Sequence, residues 1–162
     1  MDLRLTEEQE MTTKMIRDLA AREIAPIAAE IDETGRFPRE VFAKMAQVGL
    51  LGLLIPPPLG GAGGDHLTFV LAVEEIAAAS ASVALSFVES TEAAFAILAF
   101  GSDEQRGKYL PALATGAKLG AIAVCEPSGG ANWEMTSQTR AVADGEEYVL
   151  SLIHISEPTR PY

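Results

Sequence analysis

Cysteine and histidine are almost missing from this sequence, which has one cysteine and two histidines in 162 residues. A single cysteine excludes an internal disulfide, which is typical of a reducing compartment, so we expect a cytoplasmic protein. His66 and His154 are far apart, and neither has a cysteine or histidine at ligand spacing, so we expect no bound metal. Cys125 has no neighbouring base that could activate it as a nucleophile, and a half-buried strand cysteine is the better interpretation.

Basic residues and long apolar runs are also scarce. The chain has 12 Lys and Arg against 23 Asp and Glu, a formal net charge of −11, which disfavours a nucleic-acid partner because such partners require basic patches. We expect no membrane segment, since no uninterrupted apolar run approaches the ~20 residues of a span. The first ten residues also lack the basic start and apolar stretch of a signal peptide. The 48% of hydrophobic residues is nevertheless ample for a packed core.

The first two-thirds of the chain predicts a succession of helices. Thr6–Gln9 and Ser102–Gln105 have the spacing of capping boxes, in which two residues exchange hydrogen bonds across the first turn of a helix. We expect Pro26 to break the first helix and Pro38 to occupy the first position of the second. The stretch 81–100 is apolar almost all round, which is typical of a central, buried helix.

The pattern changes near residue 118. The segment KLGAIAVC, residues 118–125, is a short apolar run before a proline and predicts a strand. In QTRAVADGEEYVL, residues 138–150, apolar residues flank Asp144–Gly145, which predicts a hairpin. We therefore expect a mainly α chain, with an all-α helical domain over 1–117 and the start of a β domain over 118–150. About 30 residues cannot close a sheet of typical strand number, so this second domain is expected to be incomplete.

The last twelve residues, SLIHISEPTRPY, show no periodicity and follow the predicted hairpin without a turn signal. This string resembles the translated read-through of a sequencing adapter over its whole length. We therefore expect residues 151–162 to be an artefactual tail, the alternative being an ordinary disordered terminus. The genomic sequence after Leu150 distinguishes the two.

Two further features invite a functional interpretation. Gly61 and Gly63 begin a G-x-G-x-x-G pattern, but His66 stands at its sixth position, and the loop lacks the lysine of a phosphate-binding loop. A turn between helices explains these glycines better. Glu89 and Glu92 lie within the long apolar stretch, so they are weak candidates for a pocket, although paired glutamates on helices more often face solvent.

Six segments together resemble the N-terminal part of an acyl-CoA dehydrogenase. They are LTEEQ, REIAP, FPREVFAKMAQVGLLGLLIPPPLGGAGGD, LTFVLAVEEIAAASAS, FGSDEQRGKYLPALATGAKLGAIAVCEP and DGEEYVL. The resemblance runs through residues 3–150 in the family's own order and spacing. It implies an N-terminal helical domain, a middle β-barrel domain and a C-terminal four-helix bundle. The strands after residue 118 would then be the first of an incomplete β-barrel.

The resemblance also implies an activity, the α,β-desaturation of an acyl-CoA thioester. FAD takes the hydride from the β-carbon, and electron-transfer flavoprotein reoxidises the cofactor. The protein would be an oxidoreductase of fatty acid β-oxidation, usually a homotetramer, and the two glutamates favour a short- or medium-chain acyl-CoA. The family's catalytic glutamate lies in the C-terminal domain. No residue of this chain is therefore a candidate for the base, and residues 1–162 are expected to be inactive.

The resemblance places the segment 122–132 against FAD. The candidate cofactor-binding residues are Ile122, Val124, Cys125, Gly130 and Ala131. The first three would face the isoalloxazine ring, and the last two would form a turn near its phosphate and the thioester, which makes Ala131 a candidate for the substrate as well. Glu89 and Glu92 complete the substrate candidates, because the family's corresponding helix lines the acyl pocket. Cys125, Ala131 and Asn132 replace the usual Thr, Ser and Asp, so backbone contacts survive while hydroxyl hydrogen bonds are weakened or lost.

Two alternatives are compatible with the sequence. A relative with other flavin chemistry, an oxidase or a monooxygenase, would share the scaffold, and the position of the glutamate in the complete gene distinguishes it. A non-catalytic helical interaction module would fold without a cofactor. The incomplete hairpin and the segment CEPSGGAN count against this second alternative.

Overall fold

The computed structural model describes residues 4–124, 126 and 139–151, without the side chain of Ser151. These residues belong to two compact units, Met1–Ile122 and Ala123–Tyr162. The first unit contains the α-helices α1 (Glu7–Leu19), α2 (Ala28–Thr34), α3 (Arg39–Gln47), α4 (His66–Ala79), α5 (Ala81–Phe100) and α6 (Asp103–Ala114). The second contains the strands β1 (Arg140–Asp144) and β2 (Glu147–Ser151). The prediction of a mainly helical chain that ends in the first strands of a β domain is confirmed.

Both predicted capping boxes are present. The Gln9 backbone N–H donates to Thr6 Oγ1 at 3.2 Å, and Gln9 Oε1 accepts from the Thr6 backbone N–H at 3.0 Å. Ser102 and Gln105 exchange the equivalent bonds at the start of α6. Each box satisfies two backbone groups that have no partner within the helix, so the sequence locates these helix starts closely.

Proline breaks the first helix as predicted. The α-helical pattern of α1 ends at Leu19 and continues as a π-helical turn, Ala20–Ile24, and a 3₁₀ turn, Ala25–Ile27, before α2 begins. Pro26 lacks the N–H that a regular helix would need at this point. Pro38 was predicted at the first helical position of α3 but is its N-cap, one residue earlier. Its fixed φ suits either position, and this difference lies within the usual uncertainty of a helix boundary.

Helices α1 to α5 share the larger of two apolar clusters, and α5 and α6 share the smaller one with the segment before α4. The largest fully buried side chains are Phe87, Ile16, Ile24, Met45, Ile76, Leu110, Val41 and Val83. The Phe87 ring lies 5.3 Å from that of Phe69, centroid to centroid, where α5 packs against α4. Helix α5 therefore links both clusters and organises the helical unit.

The prediction that α5 is buried all round is wrong, because eight of its twenty residues are exposed. Val83, Phe87 and Ala94 are buried, but Leu85 is 61% exposed and Phe100 is 89% exposed. Helices α4 and α6 pack against α5, and residue Gly120 lies close to Ser90 and Ala93 of this helix. An 18-residue window of α5 reaches a mean hydropathy of 1.6, so by length and composition this helix could cross a membrane. The expectation that the chain has no apolar segment of membrane-spanning length is therefore corrected for α5. The buried face of α5 accounts for part of its apolar composition.

An ion pair joins α1 to α4 on the surface of the helical unit. Arg17 donates to both carboxylate oxygens of Glu75, from Nε at 2.9 Å and from Nη2 at 2.6 Å. These hydrogen bonds lower the pKa of Glu75 below its ordinary value of 4.5, although partial burial opposes the shift. A lowered folded-state pKa stabilises the fold above the unfolded-state value, and this contribution is lost as the pH falls through the folded-state pKa.

We therefore expect Glu75→Gln to lower the melting temperature modestly at pH 7, because it removes the charged partner of Arg17. The difference from the wild-type chain should shrink as the pH falls below 4.5. Thermal unfolding followed by circular dichroism across this range measures it. Glu74→Gln is the matched control, since Glu74 is the exposed neighbour and makes no ion pair within the described residues. Equal losses in both variants would contradict the assigned role of Glu75.

The predicted hairpin is confirmed, with its turn one residue later than expected. Asp144 and Glu147 are paired, so the two-residue loop is Gly145–Glu146 and not Asp144–Gly145. Gly145 has a φ of +63°, which glycine adopts without strain and which this turn requires. Every residue of β1 is exposed, because β1 and β2 form the whole of the described sheet.

The strand predicted over 118–125 is absent from its described residues, 118–124. A strand requires a ladder partner, and the hydrogen bond at Gly120 has a different acceptor: its backbone N–H donates to Ser90 Oγ on α5 at 3.2 Å. Short apolar runs do not distinguish a strand from an irregular segment that packs on a helix. Residues 127–138 and 152–162 lie outside the described residues, as does Cys125, so the predicted tail is described only at residue 151.

Candidate functional site

A cleft of about 480 Å³ in the helical unit contains one of the predicted substrate residues. The start of α3, the first half of α5 and the segment after α6 form its walls. Its lining residues are Phe37, Arg39, Phe42, Leu85, Ser86, Glu89, Leu119, Gly120 and Ala121. Three elements distant in sequence therefore meet at this cleft, which is why it is the candidate site.

The wall formed by residues 119–121 lies close against α5. A Cβ at Gly120 would lie 2.6 Å from the Cβ of Ala93 and 3.2 Å from the Ser90 carbonyl oxygen, so only glycine fits here without movement. Ser90 is buried, and its hydroxyl satisfies the Gly120 N–H. The hydrogen bond and the close approach together fix the distance between this segment and α5.

An aromatic pair forms another part of the cleft lining. The rings of Phe37 and Phe42 are stacked with centroids 4.9 Å apart, and Phe42 extends into the main core. The Arg39 guanidinium carbon lies 5.8 Å from the Phe37 centroid, a distance suited to a cation–π contact. The turn before α3 thus presents the Phe37 ring with the Arg39 guanidinium over it.

The two candidate glutamates of α5 occupy different environments. Glu89 lines the cleft and is half-buried, whereas Glu92 is exposed and is not among the lining residues. Within the described residues, neither carboxylate makes a hydrogen bond or an ion pair. The structure therefore brings only Glu89 together with the apolar surface that could hold an acyl chain.

The residues predicted to face the flavin are described only in part. Ile122 is half-buried at the end of the first unit, and Val124, in the second, is 39% exposed. Within the described part of the chain, neither forms a backbone hydrogen bond, so their N–H and C=O groups are available to a ligand. The contact of these two residues with a flavin stays a prediction. Cys125, Gly130 and Ala131 lie outside the described residues.

Sequence reasoning missed the aromatic wall of the cleft. Phe37, Arg39 and Phe42 were given no functional role, because FPREVF has no chemical motif. The available signal was the fixed turn at Pro38, which orients side chains on both of its sides. Among the described residues, no three His, Cys, Asp or Glu side chains come together as a metal site would require.

A second groove, of about 630 Å³, lies between α1 and α3. Its apolar residues include Met11 and Val48, and its rim carries both acidic and basic side chains, among them the ion pair of Lys44 with Glu23. None of the residues predicted to bind substrate or cofactor lies in this groove. Volume alone therefore does not identify the site, and the smaller cleft is the better candidate.

Comparison with known proteins identifies the family. Residues 6–117 match the family described as "Acyl-CoA dehydrogenase, N-terminal domain". The chain is 41% identical over 152 residues to the Bacillus subtilis protein named "Probable acyl-CoA dehydrogenase YngJ", covering 93% of this chain and 40% of the relative. It has the same identity and coverage with the short-chain specific acyl-CoA dehydrogenase of Clostridium acetobutylicum. The structure of butyryl-CoA dehydrogenase from Megasphaera elsdenii matches with a TM-score of 0.84 at 33% identity, over 93% of this chain and 40% of that one.

The chain therefore belongs to the acyl-CoA dehydrogenase family, a family of oxidoreductases, and the family prediction made from sequence motifs is confirmed. It spans about 40% of the length of the relatives that it matches. The match to the family's N-terminal domain includes α5 and the cleft residues of α3 and α5, and the cleft wall of residues 119–121 follows directly after it.

Proposed function

We propose that this chain is the N-terminal part of an FAD-dependent dehydrogenase that desaturates short- or medium-chain acyl-CoA thioesters. The observation that carries the proposal is the agreement in fold and sequence with enzymes named for this activity, over 93% of the chain. The cleft on α5 adds a site of suitable size and apolar character, with most of its lining residues inside the matched domain.

We propose FAD as the cofactor, with electron-transfer flavoprotein as its oxidant. Bound FAD would supply the acceptor for the hydride that leaves the β-carbon of the substrate. The backbone groups of Ile122 and Val124 would hold it from one side, because within the described residues they have no other hydrogen-bond partner. The resemblance adds Cys125, Gly130 and Ala131 to this side, with Ala131 close to the thioester. A cytoplasmic location, a role in β-oxidation and a homotetrameric assembly belong to the same proposal.

Glu89 is the residue proposed to restrict the substrate. A carboxylate that loses water against an alkyl chain is left without a partner, which raises the cost of binding a long chain. The aromatic wall of Phe37 and Phe42 offers apolar contact for a short chain or for one that keeps Glu89 hydrated. The preferred substrate would therefore be short, or would carry a polar end.

The predicted preference for short substrates is tested in the proposed complete dehydrogenase, of which this chain is the N-terminal part. The measured quantity is the ratio of kcat/KM for butyryl-CoA to that for palmitoyl-CoA. We expect the wild-type protein to favour butyryl-CoA, and Glu89→Leu to shift the ratio toward the long substrate by about tenfold or more, the scale of a few methylene contacts. Glu92→Leu is the matched control, because Glu92 is exposed one turn along the same helix. A wild-type preference for palmitoyl-CoA, or equal shifts in both variants, would contradict the role of Glu89.

A further inference from the structure

The segment after α6 packs directly against α5 at Gly120. A Cβ at this position would lie 2.6 Å from the Ala93 Cβ and 3.2 Å from the Ser90 carbonyl oxygen. Ordinary van der Waals contact begins at 3.4 Å, so a larger residue would force the segment and the helix apart. The backbone at Gly120 therefore lies as close to α5 as packing allows.

The Ser90 hydroxyl holds this close approach. Its Oγ accepts a hydrogen bond from the Gly120 backbone N–H at 3.2 Å, and the Ser90 side chain is buried. The next residue of α5 behaves differently, because Thr91 donates its hydroxyl to the Phe87 carbonyl of the same helix. The hydroxyl of Ser90 thus ties α5 to a segment that is distant in sequence.

Two further contacts hold the residues before Gly120. The Lys118 backbone N–H donates to the Ala112 carbonyl at 2.9 Å, and the Leu119 side chain packs against the larger apolar cluster. Three consecutive residues are therefore anchored to three different parts of the helical unit. Since the same stretch forms one wall of the cleft, contacts of this chain fix that wall before any substrate binds.

The tether lies next to the glutamate that is proposed to restrict the substrate. Glu89 and residues 119–121 line the cleft, and Ser90 follows Glu89 directly on α5. Ser90 itself is buried and is not among the lining residues. It would therefore act on a substrate only through the wall that it holds, as a positioning residue.

We propose that the hydrogen bond from Gly120 to Ser90 sets the width of the acyl cleft beside Glu89 and selects straight acyl chains over branched ones. The inference rests on the proposed function, which assigns this cleft to the acyl chain. A branched chain is wider than a straight one, so it requires the segment to move away from α5. This movement breaks the hydrogen bond and leaves the half-buried Gly120 N–H without its acceptor, which is costly.

The first measurement is amide hydrogen exchange at residue 120, in the complete dehydrogenase without substrate. We expect Ser90→Ala to speed this exchange by about tenfold, the scale of one lost hydrogen bond. Ser90→Thr keeps a hydroxyl and should stay near the wild-type rate. Thr91→Val is the matched control, because it removes a hydroxyl whose hydrogen bond lies within α5.

The second measurement is the ratio of kcat/KM for butyryl-CoA to that for the branched isovaleryl-CoA, in the same protein. We expect the wild-type ratio to favour butyryl-CoA and Ser90→Ala to lower it by about tenfold, the scale of one methyl group in an apolar pocket. The change should appear as a lower KM for isovaleryl-CoA, with kcat for butyryl-CoA unchanged, because Ser90 does not line the cleft. Ser90→Thr and Thr91→Val should keep the wild-type ratio.

Gly120→Ala tests the same wall from the other side of the contact and leaves Ser90 intact. The added methyl group would meet Ala93 and displace the segment, so exchange at residue 120 should become faster and the ratio should fall, as in Ser90→Ala. Adding Ala93→Gly removes the closest clash. The double variant should therefore recover both quantities at least in part.

Three results would overturn the inference. One is an unchanged exchange rate at residue 120 in Ser90→Ala. Another is faster exchange with an unchanged substrate ratio, since the hydrogen bond would then exist without controlling selectivity. The third is an equal loss of activity toward both substrates, which would indicate a general packing role. A wild-type protein that desaturates no acyl-CoA would instead contradict the proposed function itself, so the two failures are distinguishable.

Discussion

Residues 1–162, expressed alone and purified in the presence of FAD, are expected to be colourless and to show no acyl-CoA-dependent reduction of a dye. The resemblance places the catalytic base outside this chain, and loss of a general base alone typically costs ~10²–10⁴ in rate. The described backbone groups that would contact the flavin are those of two residues, Ile122 and Val124. So few contacts cannot offset the translational and rotational freedom that a bound cofactor loses.

Absorbance in the visible flavin band, measured after gel filtration, gives the cofactor occupancy directly. The control is the longer protein carried through the same purification, which should retain FAD. A yellow, stoichiometrically loaded and active preparation of residues 1–162 would refute the expectation that the family's remaining domains are required.

Phe87→Ala is expected to destabilise the helical unit by about 3–5 kcal/mol, the usual cost of a cavity left by a buried aromatic side chain. Phe87 has no exposed surface, and its ring contacts that of Phe69 in the larger cluster. Because α5 joins both clusters, this loss should lower the stability of the whole unit rather than of one helix end.

Phe100→Ala provides the matched control, since Phe100 belongs to the same helix and is 89% exposed. Its cost should lie within about 0.5 kcal/mol of zero, as for most surface substitutions. Urea unfolding followed by the helical circular dichroism signal measures both variants, at a protein concentration low enough to keep the chain monomeric. Similar midpoints for the two variants would show that the packing assigned to α5 is wrong.

Local signals in the sequence were sufficient for several helix boundaries. The capping boxes at Thr6 and Ser102 and the break at Pro26 each depend on hydrogen bonds within a few residues, so they can be inferred without knowledge of the fold. The hairpin around Gly145 belongs to the same class, because a two-residue loop constrains its own residues.

Long-range packing decided the features that the sequence did not predict. The apolar composition of α5 gave no indication that Leu85 and Phe100 would be exposed, because composition does not show which neighbours cover a helix face. Likewise, residues 119–124 form no strand, since Ser90 on a distant helix accepts the hydrogen bond of Gly120. Assigning Glu89 to the cleft and Glu92 to the surface required knowing which side of α5 faces its neighbours. Packing alone determines this orientation.

The most direct test of the proposed function is an anaerobic titration of the longer protein, purified with FAD, with butyryl-CoA. We expect the visible flavin band to be present before the titration and to be bleached as the substrate is added, because desaturation delivers a hydride to the cofactor. A purified protein that binds no flavin, or one whose flavin band is unchanged by acyl-CoA thioesters of every chain length, would contradict the assignment as an acyl-CoA dehydrogenase.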